Sequence, residues 1–169
     1  MSRLILLGAG TAGSADHAPA GLLLEYGQVR IGFDGGPGSE PPENVHAWLV
    51  SDPFDPLQPR RRALAHTTGM PEPVVSPYDH GALRIAPLPL AGHAYGYRIT
   101  TGTRTAVWAP HAGAFPAWAE SADLMFAPER LAPPALEAGV RRLVLTAEEG
   151  RDGHRARVEW AEEGRIYRL

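Results

Sequence analysis

The sequence predicts an α+β protein of two mainly antiparallel β-sheets packed together and flanked by a reduced set of helices. Three observations carry this. Short apolar runs come in pairs split by glycine turns, as at 22–26/29–33 and 95–100/105–109, the mark of β-hairpins. The chain spreads 19 glycines and 17 prolines along its length, which suits many short elements joined by stiff turns. Strand-like runs outnumber helical stripes and do not alternate with them as βαβ units require, so two sheets with helices outside is the architecture left.

In chain order, 4–7 is an apolar run that ends in glycines and small residues. Residues 22–26 and 29–33 form a hairpin over Gly27 and Gln28, and 37–43 is a loop by composition. The β-branched and aromatic residues of 44–50 fit a buried strand. Three prolines and two aspartates make 51–59 a loop. A short helix follows at 60–67, with Arg60, Arg61 and Arg62 as its solvated end, then a proline-punctuated loop at 69–77. Prolines hold 82–90 extended. A second hairpin, 95–100/105–109, turns at 101–103. A helical turn at 115–120, a buried strand at 122–127, a Pro-initiated helix at 133–138 and a buried strand at 142–146 come next. Residues 155–159 and 165–169 flank Glu162, Glu163 and Gly164 as a last hairpin.

At 169 residues and 18.2 kDa, one domain over 1–169 is expected, large enough to bury a core. No apolar run reaches transmembrane length and no signal-peptide layout opens the chain, so a cytoplasmic protein is expected. Absence of cysteine excludes disulfides, thiolate metal sites and cysteine nucleophiles. A net charge of −3 gives no global attraction for nucleic acid. Alanine and arginine are frequent while lysine is absent, a pattern of GC-rich bacterial coding.

Gly8, Gly10 and Gly13 form G-x-G-x-x-G after the first apolar run, and Asp34 lies about 20 residues on, the spacing of a dinucleotide fingerprint. That reading needs one helix through 12–26. Pro19 would stand in its interior, at a cost of about 3 kcal/mol, and the apolar blocks that follow are strand-like, so it is set aside.

The same stretch resembles the start of the metallo-β-lactamase superfamily, in its phosphodiesterase and tRNA-processing nuclease branch. There a first strand runs into a G-[TS]-G-x-[GA] loop, followed by a hairpin S-S-x-L-L-E-x-G-x-x-x-I-L-F-D-x-G. Here the matching residues are Leu7-Gly8-Ala9-Gly10, Leu22-Leu23-Leu24-Glu25-Tyr26-Gly27 and Arg30-Ile31-Gly32-Phe33-Asp34-Gly35-Gly36. Five further segments match in order, at 45–51, 87–99, 107–113, 122–124 and 140–146. The resemblance implies an αβ/βα sandwich. It gives Asp34 a structural role, bracing the metal loop by hydrogen bonds, and gives Gly8 and Gly10 the turn after the first strand.

Hydrolases of that superfamily hold two metal ions with H-x-H-x-D-H, a further histidine, a bridging aspartate and a last histidine. In this chain the loop reads Ser51-Asp52-Pro53-Phe54-Asp55-Pro56-Leu57, His111 stands for the bridging aspartate and Ala147 for the last histidine. Only His93 stands where a ligand should. The resemblance therefore implies a degenerate site without catalytic residues and without a zinc pair. The expected function is binding of a small anionic ligand or a protein partner, at a cleft to which Asp52, Asp55, His93 and His111 contribute. The alternative is a phosphodiesterase-like hydrolase with a single divalent ion, zinc or manganese, on those four residues. His46 reads as a core or sheet-face residue, and His17, His66, His80 and His154 as solvent-exposed, with His17 and His80 on loops near the cleft. Trp48, Trp108, Trp118 and Trp160 read as core or core-edge residues.

Overall fold

Alternation in the first three strands builds the first sheet. β1 (Ser2–Gly8), β2 (Gly21–Tyr26) and β3 (Val29–Asp34) pair antiparallel. Their register sets Leu4–Leu24–Ile31 and Leu6–Leu22–Phe33 in rows on one face, all fully buried. Ile5 and Leu23 point to the other face, as the period of two demands. The structure, a computed structural model, describes residues 1–10, 17–146 and 157–169.

After β3 the chain returns through a proline-rich loop and lays β4 (Ala47–Leu49) parallel beside it. The helix α1 (Gln58–Thr68) follows, with proline in its first turn and Gly69 in the left-handed conformation as its C-cap. It leads to the two-residue strand β5 (Pro73–Val74), parallel to β4. A cluster of Leu23, Val45, Trp48, Val50, Ala65 and Met70 joins α1 to this face of the sheet. These elements belong to a compact unit, Met1–Ser76 with Glu162–Arg168.

The second unit is Pro77–Ala161 with Leu169. It carries β6 (Tyr78–His80), β7 (Leu83–Pro89), β8 (Tyr95–Thr101), β9 (Arg104–Trp108), β10 (Leu124–Pro128), β11 (Leu143–Thr146) and β12 (Val158–Trp160) in one sheet of order β12-β11-β10-β9-β8-β7-β6. Pairing is antiparallel from β6 to β9 and parallel from β9 to β12. The short helix α2 (Ala132–Glu137) makes the crossover from β10 to β11. Met125, Ala127, Leu131, Ala135, Leu143 and Leu145 share its core, with Trp118 and Trp160 packed at the edge.

The two hairpins stand where the sequence places them, and residues 21–26 form a strand, not the helix a dinucleotide fold needs. Antiparallel pairing makes up the larger part, as expected, and parallel pairs extend both sheets, so that each is mixed. The uninterrupted apolar runs of β10 and β11 are those of parallel strands covered on both faces. The expected last hairpin is corrected. β12 pairs parallel with β11, whereas β13 (Ile166–Arg168) pairs antiparallel with β1. The turn between them is present, with Arg165 N–H donating to the Glu162 carbonyl at 3.1 Å, but it passes the chain from one sheet to the other. His80 lies in β6, not in a loop, and His46 is exposed just before β4, not in the core.

Gly8 shows what its lack of a side chain is for. A Cβ there would lie 2.1 Å from the Pro19 carbonyl oxygen and 2.7 Å from the Ser39 Cβ. Gly10 closes the same approach, donating its N–H to the Ala18 carbonyl and accepting from Ala20 N–H, both at 2.8 Å. Gly8→Ala is expected to destabilise by roughly 1–3 kcal/mol, read as a lower urea midpoint at unchanged slope.

Candidate functional site

The loop at 51–57 is tied to the end of β3 by Asp34. This residue ends β3 with φ +49°, in the left-handed region that Asp tolerates better than most side chains, and is 1% exposed. Its Oδ1 accepts the Ser51 backbone N–H at 2.7 Å and its Oδ2 accepts the Ser51 hydroxyl at 2.5 Å. Its carbonyl accepts Trp48 Nε1–H at 2.8 Å. One buried carboxylate thus ties the end of β3 to the first residue after β4.

Beyond Ser51 both aspartates of the loop form turns. Asp52 Oδ1 accepts the Phe54 N–H at 2.8 Å, and Asp55 Oδ1 accepts the Leu57 N–H at 2.7 Å. Each is a carboxylate bonded to the backbone two residues on, the reason aspartate favours such turns. Asp55 Oδ2 also lies 3.3 Å from Arg61 Nη2. Arg61 is 2% exposed; its Nε–H donates to the Gly35 carbonyl at 2.8 Å and its Nη1 to Gln58 Oε1 at 3.3 Å. Gln58 in turn donates to the Pro73 carbonyl at 2.7 Å. The helix end expected to be solvated is therefore split. Arg60 and Arg62 face solvent, while Arg61 anchors α1 to the loops at 35 and 55. The legible signal was helical spacing: Gln58, Arg61 and Ala65 share the buried stripe. At the tip of the loop Phe54 is 73% exposed.

His93 and His111 belong to the second unit. His93 is exposed in the loop between β7 and β8, which Leu90 N–H closes by donating to the Ala94 carbonyl at 2.9 Å. His111 is exposed in the turn after β9, where Ala112 N–H donates to the Ala109 carbonyl at 3.2 Å. Arg130 holds that turn, donating from Nη2 to the Ala112 carbonyl at 2.9 Å. Sequence reading did not single out Arg130. Ala147, His154 and Gly13 lie outside the described residues.

Comparison with solved structures shows the metallo-β-lactamase fold. The metallo-β-lactamase fold protein YhfI from Bacillus subtilis matches with a TM-score of 0.70 at 18% identity, over 98% of both chains. A diphosphatase of the PhnP family matches with a TM-score of 0.67 at 14% identity, over 100% of this chain and 98% of that one. Zn²⁺-bound PqqB from Methylobacterium extorquens matches with a TM-score of 0.63 at 10% identity, over 99% and 100%. No protein-family model matches the sequence, and no curated protein matches it significantly. The likeness spans both units, and the fold is an αβ/βα sandwich of two mixed sheets.

A metal centre of this fold needs at least three protein donors per ion, with one position left for water. Among the described residues no group of three or more His, Asp or Glu side chains that could hold a metal ion stands together. Asp52 and Asp55 each direct one oxygen to a backbone N–H of their own loop, and Asp55 directs the other to a buried guanidinium. Among the described residues no helix is long and apolar enough to cross a membrane.

Proposed function

We propose that this chain is a binding protein on a metallo-β-lactamase fold whose metal site is degenerate, taking a small anionic ligand or a protein partner. The observation that carries this reading is the engagement of both loop carboxylates. Recruiting Asp55 to a cation would strip Arg61 of its counter-ion inside the protein, where an unpaired charge costs several kcal/mol. The exposed imidazoles of His93 and His111 suit an anion as donors, and Phe54 offers apolar contact to a ligand or partner. The likeness to a diphosphatase supports the alternative, a phosphodiesterase-like hydrolase with one divalent ion on His93, His111 and Asp52 or Asp55.

Zinc titration of the apo-protein by calorimetry, with a parallel assay on a nitrophenyl phosphodiester plus zinc or manganese, separates them. No zinc pair and negligible turnover are expected. Two tight sites per chain would overturn the proposal. A single site abolished by His93→Ala and by His111→Ala would establish the hydrolase alternative's metal.

A further inference from the structure

The solvent-facing end of the first sheet carries a row of charge. Arg3, Glu25 and Arg30 are direct cross-strand partners on β1, β2 and β3, so one carboxylate lies between two guanidiniums. Arg3 Nη2 donates to Glu25 Oε2, and Arg30 Nε lies 3.3 Å from Oε1. The row continues toward β4 at His46. Its Nδ1 accepts the Arg30 backbone N–H at 3.1 Å, and its own backbone N–H donates to the Arg30 carbonyl at 2.7 Å. With Nδ1 an acceptor, a neutral imidazole carries its proton on Nε2 as a further donor.

Cross-strand ion pairs on an open sheet face are common and contribute little. Two features set this row apart. It is concave: with Gln28 and Asn44 these side chains line an open cleft of about 530 Å³, within the roughly 300–1,000 Å³ of small-ligand sites. It is also unbalanced, with two guanidiniums sharing a carboxylate whose side chain is 12% exposed, while theirs are 50% and 40% exposed. Glu25 orients both forks and leaves N–H groups for another acceptor.

We propose that this cleft binds a small oxyanion, a carboxylate or a phosphate group. Arg3 and Arg30 supply charge-assisted hydrogen bonds, and His46, Gln28 and Asn44 orient the ligand. The site is distinct from the loop at 51–57. Asp34 braces that loop from the far end of β3, four residues from Arg30 or about 13 Å along the strand. The proposal stands whether or not the chain binds zinc, so it fails or holds independently of the preceding one.

The test is amide chemical shifts of the ¹⁵N-labelled full chain, titrated with sodium phosphate and separately with sodium succinate, at ionic strength held constant with sodium chloride. Saturable shifts confined to the amides of residues 27–30 and 44–46 are expected. Binding should weaken by about tenfold or more in Arg30→Gln and in Arg3→Gln and stay unchanged in Arg60→Gln, whose guanidinium pairs with Glu40. Glu25→Gln removes the carboxylate of the row and should tighten binding. Should one variant lose its folded spectrum, the other two, on separate strands, carry the test. Tighter binding of phosphate than of succinate assigns a phosphate ligand, and the reverse a carboxylate ligand. Shifts that do not saturate, that chloride reproduces, or that persist undiminished in Arg30→Gln and Arg3→Gln would overturn the proposal.

Discussion

Alanine in place of Asp34 is expected to lower stability by about 3 kcal/mol. Removing the carboxylate leaves the buried Ser51 N–H and hydroxyl without their acceptor, a cost of about 1–3 kcal/mol. The backbone adds to it, because φ is +49° and an alanine held in the left-handed region costs roughly 1–2 kcal/mol. Asparagine separates the two terms. It tolerates that backbone and keeps one oxygen for the Ser51 N–H, so Asp34→Asn should cost only about 1 kcal/mol. Urea denaturation of both variants is the measurement. An unchanged midpoint for Asp34→Ala would remove Asp34 as a brace.

Arg61→Ala is expected to cost more, about 3–5 kcal/mol, since it leaves the Asp55 carboxylate without its buried partner and the Gly35 carbonyl without its donor. Its neighbours are internal controls. Among the described residues Arg60 and Arg62 make only exposed ion pairs, with Glu40 at 3.7 Å and Glu72 at 3.8 Å, and alanine at either should change stability by less than about 0.5 kcal/mol. The pair Arg61→Met with Asp55→Asn should recover much of the loss, because it removes both charges together. If all three arginines gave equal effects on thermal unfolding, the buried anchor would be wrong. Both results bear on function, since Asp34 and Arg61 hold the 51–57 loop with its carboxylates turned to its own backbone.

Much of the fold was legible because strands announce themselves locally. The alternation of Leu4 and Leu6 with Ile5, the turn at Gly27 and the turn at Gly102 each depend on residues near in sequence. The parallel halves were less legible. Whether β10 pairs with β9 in one sense or the other depends on the path of the connection between them, which local pattern does not encode. The last turn misled for the same reason: a turn at Glu162–Gly164 says the chain reverses, not which sheet receives it.

For the candidate site, the sequence by itself determined which donor types the loop at 51–57 offers. A loop without histidines and a chain without cysteine narrow the donors before any coordinate is known. It also determined that Asp52 and Asp55, each followed by proline, lie in a loop. Only the tertiary structure decided what those carboxylates face. It turned Arg61 inward between two exposed arginines, because α1 presents one stripe to the sheet and the register of that stripe is set by packing. It also brought Arg3 and His46, which are far off in sequence, into line with the hairpin pair Glu25 and Arg30. Strand register is a long-range property, and two residues become neighbours across a ladder only when the strands between them have paired.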